Sequence, residues 1–214
     1  MNSHSSKVKL WITLNEPWAT SVLGYGDGTY APGVQGIGDS VYVAAHNQIR
    51  AHAKAYRVYE KEFAALQNGQ VGITLNIFWA EPADPHDPSH VGASDTFIQF
   101  ELGWFAHPIF VNGSYPDVMR EKVKVLLTLR QLSLILVLSP FYQVDTKSEL
   151  QGLPESRLPE FTAEESLEIL GSCDFLGIDF YTSRLVYPEP GDVSTPSYYE
   201  DKDVTDYPDP NWYT

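Results

Sequence analysis

Apolar residues recur along this chain with two different periods. Trp11, Ile12, Thr13 and Leu14 form a short aromatic, β-branched and aliphatic run, and Val71-Gly-Ile-Thr-Leu-Asn76 forms another. Short runs of strand-forming residues predict buried strands. Between Asp39 and about Leu66 the period lengthens. Val43, His46, Asn47, Ile49, Arg50, Ala53, Tyr56, Val58 and Tyr59 mix apolar spacing with small residues, the pattern of a helix packed on one face. Asp39 or Ser40 is placed to cap it and Gln67-Asn-Gly69 to end it. A loop from Glu81 to His90 with three prolines follows the second strand. Helices are predicted from about Ser94 to Trp104 and from about Pro116, and Gly171-Ser-Cys-Asp-Phe-Leu-Gly177 reads as the entry to a third strand. Strands alternating with helices predict a parallel sheet flanked by helices.

The first strand ends in Asn15-Glu16-Pro17. Pro17 cannot donate to a ladder and keeps Glu16 out of the right-handed helical region, which predicts an extended Glu16 at the last strand position. A carboxylate and an amide at the C-terminal end of a buried strand suit catalysis in an α/β barrel. The same tripeptide fits an ordinary polar turn. In a regular strand, moreover, Asn15 and Glu16 face opposite sides, so one site can use both only if the strand bulges or kinks.

Other residue groups narrow the field. His46 and His52 lie in the helical segment without carboxylates at metal-ligand spacing, so both read as packing or hydrogen-bonding residues. His86 and His90, with Asp84 and Asp87, read as a polar loop rather than a metal site. Cys173 is the single cysteine and reads as a structural thiol. The net charge of −14 is unevenly placed: residues 145–214 hold 16 acidic and 4 basic residues, the rest 12 and 10. Such a chain is poorly suited to phosphate backbones, which argues against nucleic acid as a partner. The acidic C-terminal stretch reads as a solvated loop. Aromatic residues make up 13% of the chain, suiting either sugar stacking or an ordinary core. No apolar leader opens the sequence. Asn112-Gly-Ser114 is a glycosylation sequon.

Taken together, the motifs resemble glycoside hydrolase family 1, retaining β-glycosidases on a (β/α)8 TIM barrel. The resemblance is carried by Trp11-Ile-Thr-Leu-Asn-Glu-Pro17, Gly24-Tyr-Gly26, Tyr30-Ala-Pro-Gly33, Ala45-His-Asn47 and Ala51-His-Ala-Lys-Ala55. It continues through Trp79-Ala-Glu-Pro82, Gln99-Phe-Glu-Leu-Gly-Trp-Phe-Ala-His-Pro-Ile-Phe110, Ser156-Arg-Leu-Pro-Glu-Phe-Thr162 and Cys173-Asp-Phe-Leu-Gly-Ile-Asp-Phe-Tyr-Thr182. The wording is similar to the animal branch of lactases, lactase-like proteins and klothos. The resemblance implies an incomplete α/β barrel, about strands 4 to 6, as one partial domain over residues 1–214.

Position by position, it implies Glu16 as general acid/base and Asn15 as a ligand of the sugar 2-hydroxyl. Asn76 and Trp79 fall near the sugar, and Tyr181 matches a tyrosine that touches the nucleophile. Asp179 stands where the family usually has Asn; its charge beside the acid disfavours the acid's ionised form. No cofactor or metal is implied, and the partner is a β-linked saccharide or glycoside. The family nucleophile sits in a Thr-Glu-Asn-Gly motif, which these 214 residues lack. The chain is therefore expected to be part of a longer product and inactive alone. A klotho-like, non-catalytic module binding a protein ligand is the alternative. If the parent resembles animal members, it belongs to the secretory pathway or cell surface. Residues 124–146 interrupt the match with an apolar run shorter than the roughly 20 residues of a membrane span. That run reads as retained non-coding sequence or a gene-model error in preference to a genuine extra helix or strand.

Overall fold

The computed structural model describes residues 8–123, 156–192 and 194–210. Residues 124–146, the interruption, lie outside them. Four strands form one sheet in the order β1 (Leu10–Asn15), β2 (Gln70–Pro82), β3 (Phe175–Pro188), β4 (Val204–Pro208). The first three are parallel, and β4 returns antiparallel to β3 as a hairpin partner. The parallel sheet flanked by helices follows from the alternation of elements, since parallel neighbours need a crossover connection between them.

After β1 the chain turns at once into α1 (Pro17–Ala19) and a π-helical turn, Thr20–Gly24. The long α2 (Ser40–Glu62) follows, then the short α3 (Ala64–Gln67). Asp39 occupies the N-cap of α2, but its side chain makes no capping hydrogen bond. Asn68, in the left-handed region at φ 47°, ends α3 where the sequence placed the stop. Val41, Tyr42, Ala45, His46, Ile49, His52, Ala53 and Tyr56 are the buried residues of α2, an i, i+4 stripe facing inward.

The proline-rich segment after β2 differs from expectation. α4 (Pro88–Ile98) starts inside it, because Asp87 accepts the Ser89 N–H at 2.8 Å and Pro88 takes the first helical turn, where its missing N–H costs nothing. β2 also runs on to Pro82, taking in residues assigned to that loop. A π turn (Gln99–Gly103), α5 (Trp104–His107), a second π turn (Pro108–Asn112) and α6 (Asp117–Val123) follow. α7 (Ala163–Ile169) opens with a capping box between Thr162 and Glu165.

The main core lies between the sheet and α2, the π turns and α5. Ile49, Ile73, Leu75, Phe100, Trp104, Phe105, Ile109 and Met119 meet there. Trp104 stacks on Tyr198 at 5.2 Å between centroids and tilts against Tyr42 at 5.5 Å. The acidic C-terminal stretch is more structured than a solvated loop. It holds α8 (Tyr198–Asp201) and β4, and Asp201 is fully buried. Its carboxylate accepts from both Nη atoms of Arg157, at 2.9 and 2.5 Å, and from the Tyr42 hydroxyl at 2.5 Å. Lys202 is also buried, over the Phe97 and Tyr198 rings and 3.5 Å from Glu101. Burial pushes the Glu101 carboxyl up to about 6, although Lys202 opposes the shift. Among the described residues no helix is long and apolar enough to cross a membrane.

Candidate active site

Strand register decides which side chains share a face. Paired residues of parallel neighbours project to the same side, and the side alternates along each strand. Asn15 pairs with Thr74, Thr74 with Gly177, and Asn76 with Asp179. Asn15, Thr74, Asn76 and Asp179 therefore belong to one face. Ile73, Leu75, Leu176 and Ile178 belong to the other, the face that α2 covers in part.

Two irregularities complete the polar face. In β1 the register shifts between Ile12 and Asn15: three steps there match two from Gly72 to Thr74. This bulge returns Asn15 to the face of Ile12, where an unbroken strand would have sent it to the opposite side. Glu16 is not extended as expected. It lies in the left-handed region, at φ 47° and ψ 59°. Its N–H donates to Thr74 O at 2.9 Å, and its carbonyl accepts the first helical bond, from Thr20 N–H at 3.2 Å. The chain thus passes from strand to helix within one residue, and the tertiary hydrogen bonds override the local preference for extended backbone before proline. A left-handed non-glycine residue costs roughly 1–2 kcal/mol, and such strain tends to collect where geometry is functional.

The turn carries the Glu16 carboxylate back across the sheet to Tyr181, whose hydroxyl donates to Glu16 Oε1 at 3.0 Å. Tyr181 itself sits at the second irregularity, where Ile77 pairs with Phe180 but Trp79 with Ser183. Its hydroxyl is held above the usual tyrosine range by that hydrogen bond, then by the charge of Glu16, with Asp179 adding in the same direction. Where the resemblance puts this tyrosine against the nucleophile, here it holds the acid/base candidate. Asn76 is 7% exposed, and its Oδ1 has no partner among the described residues. Trp79 is half exposed and ties its Nε1–H to Glu81 Oε2 at 2.8 Å. Of the sugar-site residues that the resemblance implies, Asn15, Asn76 and Asp179 share one face of the sheet, where Tyr181 meets Glu16, and Trp79 lies farther along β2, past its register shift; the sequon residue Asn112 is apart, on the π turn Pro108–Asn112.

Sequence reasoning missed the strut beneath the bulge. Thr13 Oγ lies 2.6 Å from His52 Nδ1 on α2 and 3.2 Å from Gly72 O on β2. Both contacts are satisfied together when Nδ1 carries the proton, donating to Oγ while the hydroxyl donates to Gly72. His52 Nε2 makes no well-formed hydrogen bond among the described residues, although the Ser172 backbone interacts with the ring. Burial pushes the imidazole down to about 4, with the Ser172 backbone partly opposing, so it is neutral near pH 7. His46, by contrast, bonds the Tyr115 hydroxyl at 2.9 Å and stacks on Phe161. Among the described residues no group of three His, Cys, Asp or Glu side chains is arranged to hold a metal ion. The Cys173 thiol donates to Phe175 O at 2.9 Å, and burial pushes it up.

The chain is 40% identical over 206 residues to human lactase/phlorizin hydrolase, covering 96% of this chain and 10% of that protein. It is 36% identical over 211 residues to human cytosolic beta-glucosidase, covering 99% of this chain and 40% of that protein. A rice Os3BGlu6 beta-glucosidase variant in a covalent complex with Glc superposes with a TM-score of 0.78 at 30% identity, over 97% of this chain and 39% of that one. The chain thus spans well under half the length of these relatives. Because the model of glycosyl hydrolase family 1 matches residues 1–214 throughout, this chain belongs to that family.

Proposed function

We propose that this chain supplies the acid/base half of a retaining β-glycosidase of the β-glucosidase or lactase type, acting on β-linked glucosides or galactosides. In this reading β1 to β3 are the fourth to sixth strands of a (β/α)8 barrel. The observation that carries the reading is the Tyr181–Glu16 hydrogen bond at 3.0 Å, made possible by the bulge and by the left-handed Glu16.

Glu16, protonated, donates to the departing glycosidic oxygen. A second carboxylate about 5–5.5 Å away attacks the anomeric carbon, and Glu16 as base then activates the water that releases the sugar. The covalent glucose complex of the rice relative supports a glycosyl-enzyme route. Asn15, on the same face, binds the sugar beside Glu16, with Asn76 and Trp79 close to it. Tyr181 holds the free carboxylate in place until substrate arrives. Its 69% exposure leaves the site open to water on one side, whereas this chemistry proceeds in a closed, water-poor pocket. The Thr-Glu-Asn-Gly motif is absent from the 214 residues, so the isolated chain lacks the attacking carboxylate and does not turn over. The intact Asn15-Glu16 pair favours catalysis over a klotho-like binding module.

The test uses two proteins. The isolated chain is expected to leave a chromogenic β-glucoside intact, and turnover abolished by Glu16→Gln would overturn the inactivity. In a longer protein containing this chain and the nucleophile, Glu16→Gln should impair substrates with poor leaving groups far more than activated ones. An equal loss across leaving groups would remove Glu16 from the acid role.

A further inference from the structure

Asn112-Gly-Ser114 is the only Asn-x-Ser/Thr triplet in the sequence, and among the described residues it sits in a corner of the α5–α7 region where apolar side chains reach solvent. Phe110 is 42% exposed, Val111 61%, Leu167 76% and Leu170 39%. The first two immediately precede Asn112 on the π turn Pro108–Asn112, and the last two lie on and just past α7. The two segments are in contact. Gly171 N–H donates to Ile109 O at 2.7 Å, and a Cβ on Gly113 would come within 2.6 Å of Ser166 O. Gly113 therefore has two reasons to be glycine, that contact and its φ of +77°.

We propose that Asn112 is an N-glycosylation site and that the attached glycan covers this apolar corner. Asn112 is exposed, and its Oδ1 accepts the Ser114 N–H at 2.9 Å. That turn fixes the side chain outward and leaves its Nδ2, like the Ser114 hydroxyl, without a partner among the described residues. The donor is a lipid-diphosphate-linked oligosaccharide. A bond forms from Asn112 Nδ2 to the sugar's anomeric carbon, the bond from that carbon to the diphosphate oxygen breaks, and the amide proton passes to a base. Sugar rings present C–H faces that pack on aromatic and aliphatic side chains, and a glycan on Asn112 is rooted where the exposed Phe110 and Val111 meet the segment of Leu167 and Leu170. A contiguous exposed apolar patch otherwise invites association, and a bulky, solubilising group rooted inside it removes that liability. The proposal does not rest on the glycosidase reading.

The experiment is translation of the full chain behind a cleavable secretion signal, with microsomes derived from the endoplasmic reticulum. A single glycan-sized gel shift is expected, reversed by an N-glycan amidase and absent from both Asn112→Gln and Ser114→Ala. A chain protected from added protease but unshifted would overturn the site. Covering is read by hydroxyl-radical footprinting of the glycosylated chain against Asn112→Gln, with Leu10 as internal reference. Oxidation of the patch residues Phe110, Val111, Leu167 and Leu170, taken together, should fall about twofold. Equal oxidation in the two proteins would overturn the covering role.

Discussion

The strut beneath the Glu16 turn gives the sharpest test of how this sequence builds that turn. Thr13→Val keeps the shape of the side chain but removes the hydroxyl that His52 and Gly72 share. His52 is 1% exposed, and its Nε2 makes no well-formed hydrogen bond among the described residues. The substitution leaves Nδ1 buried and without its partner, which costs about 1–3 kcal/mol. For a chain of this size that is a fall of roughly 4–8 °C in melting temperature at the middle of the range. Replacing both partners with apolar groups of similar shape removes the unmet demand, so Thr13→Val with His52→Leu should recover much of the loss. The double-mutant cycle should give a coupling of about 1–2 kcal/mol.

The same histidine sets a pH signature. Its folded value of about 4 lies below the ordinary 6.5, so the unfolded chain takes up a proton that the folded chain refuses. The stability this provides is complete above pH 6.5 and is lost as the pH falls towards 4; over that window it amounts to roughly 3 kcal/mol. His52→Leu should flatten that part of a urea-denaturation profile recorded from pH 7 to pH 4. Nitrogen-15 spectra of the ring should show the proton on Nδ1. A ring protonated on Nε2, or single mutants whose losses simply add, would refute the strut.

Four further outcomes follow from other contacts. Asp201→Asn removes a fully buried charge from Arg157 and should destabilise the fold by about 3–5 kcal/mol in chemical denaturation, whereas Asp117→Asn, which loosens only an exposed pair with Arg120, should change little. Gly72→Ala sets a Cβ 2.5 Å from the Phe175 carbonyl on the neighbouring strand and should cost about 1–3 kcal/mol. Gly92→Ala, in α4 with nothing within 4 Å, should instead stabilise by about 0.5–1 kcal/mol, a sign difference that paired melting curves read directly. Glu16→Gln and Asp179→Asn should each lower the ionisation pH of Tyr181 in carbon-13 spectra of labelled tyrosine, Glu16→Gln the more, because the hydrogen bond from Tyr181 to Glu16 is the leading cause of its elevation.

The layout of strands and helices was legible where period and punctuation agreed with packing, although β1, expected to be buried, is exposed along Leu10, Trp11 and Ile12. The β-branched run at Val71, the inward stripe from Val41 to Tyr56 and the stop at Asn68 need only local rules. The start of α4 was missed because proline was read as a loop signal when Asp87-Pro88 is also an N-cap followed by a first-turn proline. The site was half legible. Asn15 and Glu16 could be named from the sequence, yet local rules put them on opposite faces and kept Glu16 extended.

What reconciles them is long-range. The bulge needs Thr13 held by His52 from α2, and the left-handed turn needs the Thr74 carbonyl of β2 to receive the Glu16 N–H. Each contact is worth on the order of 1 kcal/mol, and together they offset the roughly 1–2 kcal/mol that a left-handed glutamate costs. No window of neighbouring residues contains those partners, since His52 is 39 residues from Thr13 and the Gly72 carbonyl 59. The conflict was itself readable: two polar residues that the proposed site uses together, set where a regular strand separates them. In this chain, that contradiction in local rules marks the place where tertiary structure overrides them to aim a carboxylate.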